Sequence, residues 1–177
     1  KGENTEVEFK SALGGFPSSF WETYSAFGNT AGGIIVLGIK EKNHKFTPDH
    51  LTAEQVAKYK KQYWDDVHNK SKVNICLTVD ADVSEEDCEG SAILVFRIPR
   101  AIYSKRPIYL TQNPFGHTYV RRHEGDYLID DDEVRWMFAD SNIKDYPLDA
   151  KAFPHFTLEK DFDDTTIRQY RQLYNNR

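Results

Sequence analysis

Residues 20–42, FWETYSAFGNTAGGIIVLGIKEK, contain the pattern that decides the fold of this chain. Aromatic residues recur there every three or four positions up to Phe27, which predicts a helix with one buried aromatic face. The apolar run 34–39 shows no alternation, as is typical of a strand that is covered on both faces. Asn29 and the Gly32-Gly33 pair can adopt the left-handed backbone angles that end a helix. The stretch therefore predicts a helix, a glycine hinge and a buried strand.

Three finer features of the same stretch refine this prediction. Ser18 or Ser19 can cap the helix, and Ser19 with Glu22, three positions apart, matches a capping box. Gly38 interrupts the apolar run, and a glycine inside a strand indicates a bulge or the close approach of another backbone. The glycine pair follows a helix and precedes a strand, whereas a phosphate-binding loop has the reverse order, so we interpret the pair as structural.

The remaining chain alternates between helical and strand patterns, which predicts an α/β (α+β) fold with a mixed sheet of about five or six strands and helices packed on it. Thr52 and Gln55 match a capping box at the start of a second helix. The apolar positions predicted to be buried in the later helices are Val56, Tyr59, Tyr63, Val67, Val134 and Phe138. Strands are predicted over residues 1–10, 73–83, 91–98, 108–111 and 117–122, the last two as a hairpin, with an acidic loop over 84–90 and helices over 52–69, 131–140 and 163–176.

The length and charge of the chain limit the functions to consider. Its 177 residues suit one domain over residues 1–145, followed by a linker and C-terminal helix over 146–177. The formal net charge is −5 and the isoelectric point is about 5.7. This balance argues against phosphate binding by the whole surface, because a basic footprint is the usual sign. A local basic patch on an acidic body is still compatible with it.

Several motifs are absent from the sequence. Cys76 and Cys88 are too few for a disulfide scaffold or a cysteine-rich zinc site. No apolar run approaches the ~20 residues that span a bilayer, so we expect a cytoplasmic protein that does not contact a membrane. There is no GxxxxGK[ST] nucleotide-binding motif and no GxSxG nucleophile motif, and the histidines lack the spacing of a zinc site.

Three motifs together resemble one known family. SAFGNTAGGIIVLGI at residues 25–39, with EVEFK at 6–10 upstream and YVRR at 119–122 downstream, resembles the Schlafen/AlbA-like domain family. Members occur in bacterial proteins named as transcriptional regulators or RecG-related helicases, and in the Schlafen proteins of animals. The resemblance covers about residues 3–140. It implies a Schlafen/AlbA-like domain over residues 1–145 and further regions beyond residue 177.

The resemblance also implies a set of acidic site residues. Nuclease-active Schlafen members carry glutamates that, placed residue by residue, correspond to Glu3, Glu8 and Glu41 here. Such carboxylates can hold Mg²⁺ or Mn²⁺ against a phosphodiester. Lys40 departs from the family pattern, and its charge would oppose a second metal ion. The alternative interpretation is that Glu6 and Glu8 solvate an edge strand and discourage pairing between sheets.

A second set of candidate residues is basic. Arginine grips phosphate oxygens with two donors and lysine adds a point charge, while nearby tyrosines can stack on unpaired bases. We expect these side chains, which come from separate segments, to meet in one cationic strip. The alternative for Arg121 is a surface pair with Glu124 or Asp126. The predicted nucleic-acid-binding residues are Lys10, Lys40, Lys42, Arg100, Lys105, Arg106, Arg121 and Arg122.

Three hypotheses of function follow. The first is a nucleic-acid-binding domain, with DNA favoured over RNA, in a bacterial transcriptional regulator or RecG-related helicase-like protein. The second is a metal-dependent endoribonuclease that uses the three glutamates. The third is a protein-interaction or dimerisation domain, so that the partner would be a second copy of the chain instead of DNA or RNA.

Overall fold

Helices and short strands alternate through the chain, which this computed structural model describes over residues 7–43, 45–123 and 125–142. The mixture of both element types confirms the predicted fold class. The predictions for residues 1–6 and for the linker and helix over 146–177 lie outside the described residues, so the proposed domain boundary stays a prediction. The helices are α1 (Ser19–Asn29), α2 (Ala53–Val67) and α3 (Asp131–Asn142), and the strands are β1 (Val7–Lys10), β2 (Gly33–Leu37), β3 (Ile39–Lys42), β4 (Lys45–Pro48), β5 (Val83–Cys88), β6 (Ser91–Ile98), β7 (Tyr119–Arg122) and β8 (Gly125–Leu128).

A four-stranded mixed sheet with the order β1-β2-β6-β5 forms the centre of the fold. β1 runs parallel to β2, and the other neighbours are antiparallel. β1 lies at the edge and β6 in the interior, as the sequence predicts. β3–β4 and β7–β8 form separate hairpins. The described strands are therefore divided among three sheets, whereas we expected one sheet of five or six strands.

The aromatic face of α1 packs on one face of this sheet. Phe20, Tyr24 and Phe27 are fully buried, and the rings of Phe20 and Phe96 lie 4.9 Å apart. The face of β2 that includes Ile34 packs in a second apolar cluster, so both faces are covered as predicted. In α2 the Thr52–Gln55 capping box is present and the predicted stripe of Val56, Tyr59, Tyr63 and Val67 is buried.

The glycine hinge has the geometry that its sequence predicts. Gly32 has φ +81°, and a Cβ at this residue would lie 2.8 Å from the carbonyl oxygen of Ile98 and 2.9 Å from the amide nitrogen of Arg100. A Cβ on Gly33 would lie 2.6 Å from the ring of Phe27. The hinge therefore requires glycine both for its backbone angle and for the close packing of helix and sheet.

Gly38 marks a close backbone approach, which is the second of the two predicted alternatives. Its φ is +103°, its N–H donates to Lys10 O at 2.9 Å, and its carbonyl accepts from the N–H of Asp49 at 2.8 Å. This residue therefore connects β2 and β3 while its backbone holds two other segments.

The predicted capping box of α1 is wrong. Ser18 is the N-cap residue, its side chain makes no capping bond, and its φ of −61° and ψ of −34° are already helical. The N–H of Phe20 bonds to Pro17 O at 3.1 Å. The carbonyl of the preceding turn thus satisfies the N–H of Phe20, and the Ser19–Glu22 pair does not form a cap.

The strand predicted over 73–83 is also wrong, as is the acidic loop over 84–90. The hydroxyl of Tyr24 accepts from Leu77 N at 2.7 Å and donates to Ile75 O at 3.3 Å, so the alternating segment lies against α1 instead of joining the sheet. Residues of the expected loop form β5, which pairs with β6. Its acidic side chains face solvent at the sheet edge, where tertiary pairing outweighs their low strand propensity.

Two further predictions near residues 108–138 need correction. The predicted hairpin of residues 108–111 with 117–122 does not form. β7 pairs with β8 instead, and residues 108–111 contact the segment 117–122 through an isolated bridge between Tyr109 and Thr118. In α3, Val134 is fully buried as predicted, but Phe138 is 36% exposed. No helix in the described ranges is both long and apolar enough to cross a bilayer.

Two buried tyrosines predict loss of stability at high pH. Burial is the main cause that raises the pKa of Tyr24 and of Tyr63 above the ordinary value of a tyrosine. An unfolded tyrosine loses its proton near pH 10, while these two keep theirs in the folded state. The free energy of unfolding should therefore fall by about 1.4 kcal/mol per tyrosine for each pH unit above about 10.

Urea unfolding between about pH 9 and 11 measures this effect. Tyr63→Phe should reduce the slope by about 1.4 kcal/mol per pH unit, because one raised group no longer titrates. An equal slope in the variant and the wild type would contradict the assignment.

Candidate functional site

The polar residues of α1 position the segment that contains YVRR. The Asn29 side chain, 5% exposed, donates from Nδ2 to Ile108 O at 2.7 Å and to Tyr119 O at 2.9 Å. Its Oδ1 accepts from Ile108 N at 2.8 Å. The helix ends at Asn29 as predicted, but Asn29 is not among the residues with a positive φ, and its side chain bonds to two other segments.

Two hydroxyl groups complete this attachment. Ser25 Oγ donates to Ile108 O at 2.7 Å and accepts from Tyr119 N at 3.0 Å. Thr30 Oγ1 accepts from Arg121 N at 2.9 Å. The polar positions of SAFGNT therefore fix the place of β7. Their occurrence on an otherwise buried helix was the signal that sequence analysis could have used, because buried polar groups need partners.

Arg121 lies in a buried ionic network. Its side chain is 7% exposed, and it donates to Glu8 Oε2 at 2.9 Å and to Asp126 Oδ1 at 2.8 Å. Thr23 Oγ1 donates to the other oxygen of Asp126 at 2.5 Å. Arg121 Cζ also lies 5.4 Å from the ring centre of Phe27. The alternative role for Arg121, a pair with Asp126, is therefore present, together with an unexpected partner from β1.

The charge of Arg121 is balanced within this network. Burial lowers the pKa of Arg121, but the hydrogen bonds and charges of Asp126 and then Glu8 raise it by more, so the net direction is upward. Lys10, whose side chain is 15% exposed, donates to Glu8 Oε1 at 2.9 Å. Two of the predicted phosphate-binding cations thus have carboxylate partners. We name Lys10, Glu8, Arg121 and Asp126 the buried ionic network.

The predicted three-glutamate site can be compared with the structure only in part, because Glu3 lies outside the described residues. Both oxygens of Glu8 already accept hydrogen bonds from cations, and these cations would compete with a metal ion for the carboxylate. Glu41 lies exposed on β3. Within the described ranges no group of three histidine, cysteine or acidic side chains could hold a metal ion. The site at Glu3, Glu8 and Glu41, with Mg²⁺ or Mn²⁺, stays a prediction.

Three lysines lie together on the β3–β4 hairpin. Lys40, Lys42 and Lys45 are exposed, and Lys42 stands directly opposite Lys45 in the register. Like charges directly opposite each other destabilise a strand pair. None of the three has an ion pair with another residue that the structure describes. We name them the hairpin lysines, and they form a concentration of positive charge that no carboxylate of the described residues pairs with.

A second group of cations lies in the loop of residues 99–107, which we name the arginine loop. Arg106 Nε donates to Ala101 O at 2.9 Å, and its Cζ lies 4.8 Å from the ring centre of Tyr103. Its Nη2 is buried and has no hydrogen-bond partner among the residues that the structure describes. Arg100 lies on the same ring, with its Cζ 5.7 Å from the centre. Burial, and then the charge of Arg100, lowers the pKa of Arg106.

The arginine loop also lacks acidic partners. Neither arginine forms a salt bridge within the part of the chain that the structure describes. Tyr103 is 52% exposed, and Lys105 is also exposed. The loop therefore presents three positive charges and an aromatic ring to solvent without a neutralising carboxylate.

The two unpaired groups lie at opposite ends of β2. Gly33 pairs with Ile98, close to the arginine loop, and Leu37 pairs with Leu94, close to β3. A strand of five residues is about 15 Å long, which sets the scale of the separation. The predicted cations therefore do not meet in one strip. They divide into the hairpin lysines, the arginine loop, Arg122, and two members of the buried ionic network.

A groove of about 360 Å³ lies between α3 and β7. Trp136, which is 71% exposed, lines it together with Arg122, Glu133 and Asp140, and Asn29 and Thr30 of α1 contribute to the lining. Arg122 forms a salt bridge with Glu133. Sequence analysis did not identify this groove, because its two walls come from segments with no recognisable motif in common.

The groove and the arginine loop are neighbours. α3 packs against the 3-10 turn Tyr103–Lys105. Ala101 N donates to Gly28 O at 2.9 Å, which attaches the arginine loop to the end of α1 next to Asn29. One side of the molecule thus combines uncompensated guanidinium groups, an exposed tyrosine and a groove with an exposed tryptophan.

Comparison with known proteins gives one family and several similar solved structures. The family model described as Schlafen, AlbA_2 matches residues 3–130. The N-terminal domain of a RecG-related protein from Nitrosomonas europaea is 23% identical with a TM-score of 0.49, and the match covers 72% of this chain and 85% of that one. A protein from Corynebacterium diphtheriae is 16% identical with a TM-score of 0.48, over 77% of this chain but only 24% of that one. The comparison with curated proteins gave no match.

Proposed function

The chain belongs to the Schlafen, AlbA_2 family, and from this premise we propose that its described domain binds nucleic acid through the arginine loop and the hairpin lysines. The observation that carries the proposal is the pair of guanidinium groups on Tyr103, which has no carboxylate partner among the described residues. Natural proteins pair partly buried charges, because an unpaired one costs free energy. A phosphodiester would supply the missing anion.

The chemistry of the loop suits a phosphate. The guanidinium group is planar and can donate two parallel hydrogen bonds to phosphate oxygens. Arg106 uses Nε for the bond to Ala101 O, which fixes the side chain before any ligand arrives. Preorganisation of this kind lowers the entropy cost of binding. Lys105 adds a third charge on the same loop.

The hairpin lysines supply a second contact along the same polyanion. They lie about 15 Å or more from the arginine loop, and a chain of several nucleotides reaches across this distance. The acidic balance of the whole domain assists orientation, because a polyanion is repelled by the rest of the surface and attracted to the two cationic groups.

The proposal also covers the type of nucleic acid, the kind of protein that contains the domain, and its location in the cell. We include binding of DNA in preference to RNA, a place in a transcriptional regulator or RecG-related protein, and a cytoplasmic location. No observation on the described residues favours the ribonuclease hypothesis, because the cationic partners of Glu8 occupy its oxygens. None favours the dimerisation hypothesis either.

The test is the affinity of arginine-loop variants for labelled DNA and RNA oligonucleotides of about 20 nucleotides, measured by fluorescence anisotropy at low salt. Arg100→Gln should weaken binding roughly tenfold, because hydrogen bonds to charged groups contribute about 1.5–3 kcal/mol each. Arg106→Lys should also weaken binding, since lysine keeps the charge but loses the bond from Nε to Ala101 O that fixes the side chain.

Lys61→Gln is the matched control. Lys61 is exposed on α2 and already pairs with Asp65 at 2.6 Å, so its removal should leave the affinity within about twofold. Absence of binding by the wild type at low salt would reject the proposal. Equal losses in the Arg100 variant and in the Lys61 control would reject the role of the arginine loop.

A further inference from the structure

Three side chains of α3 face the groove at helical spacing. Glu133, Trp136 and Asp140 lie at positions i, i+3 and i+7, which places them on one face of the helix, and Arg122 lies on the opposite wall. The volume of about 360 Å³ falls within the range of small-ligand pockets, which is roughly 300–1,000 Å³. The groove therefore combines a flat aromatic ring with charged donors and acceptors.

Trp136 is the most exposed large apolar side chain in the described ranges, at 71%. An indole ring that lines a groove without a ring partner there offers its face for stacking. Nucleic-acid bases stack on such rings when they are unpaired, whereas bases in a duplex are covered by their neighbours. The exposed ring favours a single-stranded ligand over a double-stranded one.

The polar groups of the groove indicate which base it would take. Arg122 presents guanidinium donors, and its salt bridge with Glu133 orients them. Asp140 presents carboxylate oxygens that have no partner within the part of the chain that the structure describes. Guanine matches this pair, because its O6 and N7 accept from an arginine and its N1–H and N2–H₂ groups donate to a carboxylate.

We propose that the groove binds one unpaired guanine of a single-stranded nucleic acid, with a flanking phosphate on the arginine loop. The proposal rests on the proposed function and names its substrate class. It follows from the position of α3 beside the turn Tyr103–Lys105, which places the base site and the phosphate site next to each other. Adenine lacks the O6 acceptor and uracil lacks the second donor toward the carboxylate, so both should bind more weakly.

The first readout is the accessibility of Trp136 to the neutral quencher acrylamide. Trp21 is 6% exposed and Trp64 is partly buried, so Trp136 should dominate quenching in the free protein. A six-nucleotide deoxythymidine oligomer with one central deoxyguanosine should protect the fluorescence. The all-thymidine oligomer should protect it much less, because thymine, like uracil, has only one donor toward the carboxylate. Trp136→Phe is the control, because it removes the signal while retaining a ring for stacking.

The second readout is affinity. Trp136→Ala should weaken binding of the guanine-containing oligomer by roughly tenfold, in line with the loss of one stacked base. Asp140→Asn should lower the affinity for the guanine-containing oligomer by roughly tenfold and so remove the preference for guanine, with little change in affinity for the all-thymidine oligomer. Both side chains are exposed, so neither change should unfold the protein.

The outcomes separate this inference from the function on which it rests. If the wild type binds neither oligomer at low salt, the proposed function fails. If it binds both equally and Trp136→Ala binds as the wild type does, the groove proposal fails while the proposed function stands. Protection of Trp136 in the free protein would also overturn the inference, because another part of the chain or a second copy would then occupy the groove.

Discussion

Replacement of Arg121 by glutamine is expected to lower the free energy of unfolding by about 3 kcal/mol. The change removes the shared partner of Glu8 and Asp126, whose side chains are 24% and 12% exposed. Removal of one member of a buried ion pair costs about 3–5 kcal/mol, because the remaining charge is left without compensation. The partial exposure of Glu8 places the expected value at the lower end of this range.

The next residue in the chain provides the control. Arg122 is 56% exposed on its side chain and pairs with Glu133, which is 43% exposed. Arg122→Gln should change the free energy of unfolding by less than about 1 kcal/mol, as is usual for an exposed ion pair. Urea unfolding of both variants measures the difference. Equal effects of the two substitutions would show that the buried ionic network does not stabilise the fold as described.

Gly32→Ala is expected to destabilise the domain by about 2–5 kcal/mol. The backbone angle of φ +81° costs about 1–2 kcal/mol for a residue with a Cβ. The new methyl group would also lie 2.8 Å from the carbonyl oxygen of Ile98, and overpacking of this kind typically costs about 1–3 kcal/mol. This oxygen and the amide nitrogen of Arg100, which would lie 2.9 Å from the methyl group, are backbone atoms and cannot move aside as a flexible side chain would.

Gly14→Ala is the corresponding control. A Cβ on Gly14 meets nothing within 4 Å, and the residue has no positive φ. This substitution should be neutral or slightly stabilising, because alanine reduces the freedom of the unfolded chain. Thermal or urea unfolding compares the two. A small effect of Gly32→Ala, similar to that of Gly14→Ala, would mean that the helix and sheet are not packed as closely as the hinge geometry requires.

The hinge variant also bears on function. A Cβ on Gly32 would lie 2.9 Å from the amide nitrogen of Arg100, at the start of the arginine loop. Under conditions in which Gly32→Ala remains folded, its affinity for nucleic acid should therefore be lower than that of Gly14→Ala.

The elements that were predicted correctly are those whose signals are local. The aromatic spacing of α1, the glycine hinge and the Thr52–Gln55 capping box each depend on a few neighbouring residues. The failures concern partners that are distant in sequence. The backbone of the segment 73–83 bonds to Tyr24 of α1 instead of to a strand, and the acidic β5 is a strand because β6 lies beside it. No local propensity contains this information.

In the candidate site, too, contacts between residues that are distant in sequence were not predicted. The acidic and basic sets were predicted separately, yet Glu8 and Arg121, 113 positions apart in the chain, bond to each other. The family resemblance implied that Glu8 binds a metal ion, and the chemistry of basic side chains predicted that Arg121 binds a phosphate. In the structure the two side chains bond to each other. The groove depends on α3 facing β7, which residue patterns within either segment do not show.

The salt dependence of affinity for a single-stranded oligonucleotide tests the central claim most directly. The claim is that the six cations of the hairpin lysines and the arginine loop neutralise phosphates, whereas Arg121 does not. The logarithm of the affinity should then fall with the logarithm of salt concentration with a slope of about −4, since each contact contributes about −0.7. Replacement of Arg100, Lys105 and Arg106 by glutamine should reduce the slope to about −2, and Arg121→Gln should leave it unchanged in a folded sample. A slope near zero, or one that changes with Arg121 and not with the arginine loop, would contradict the account.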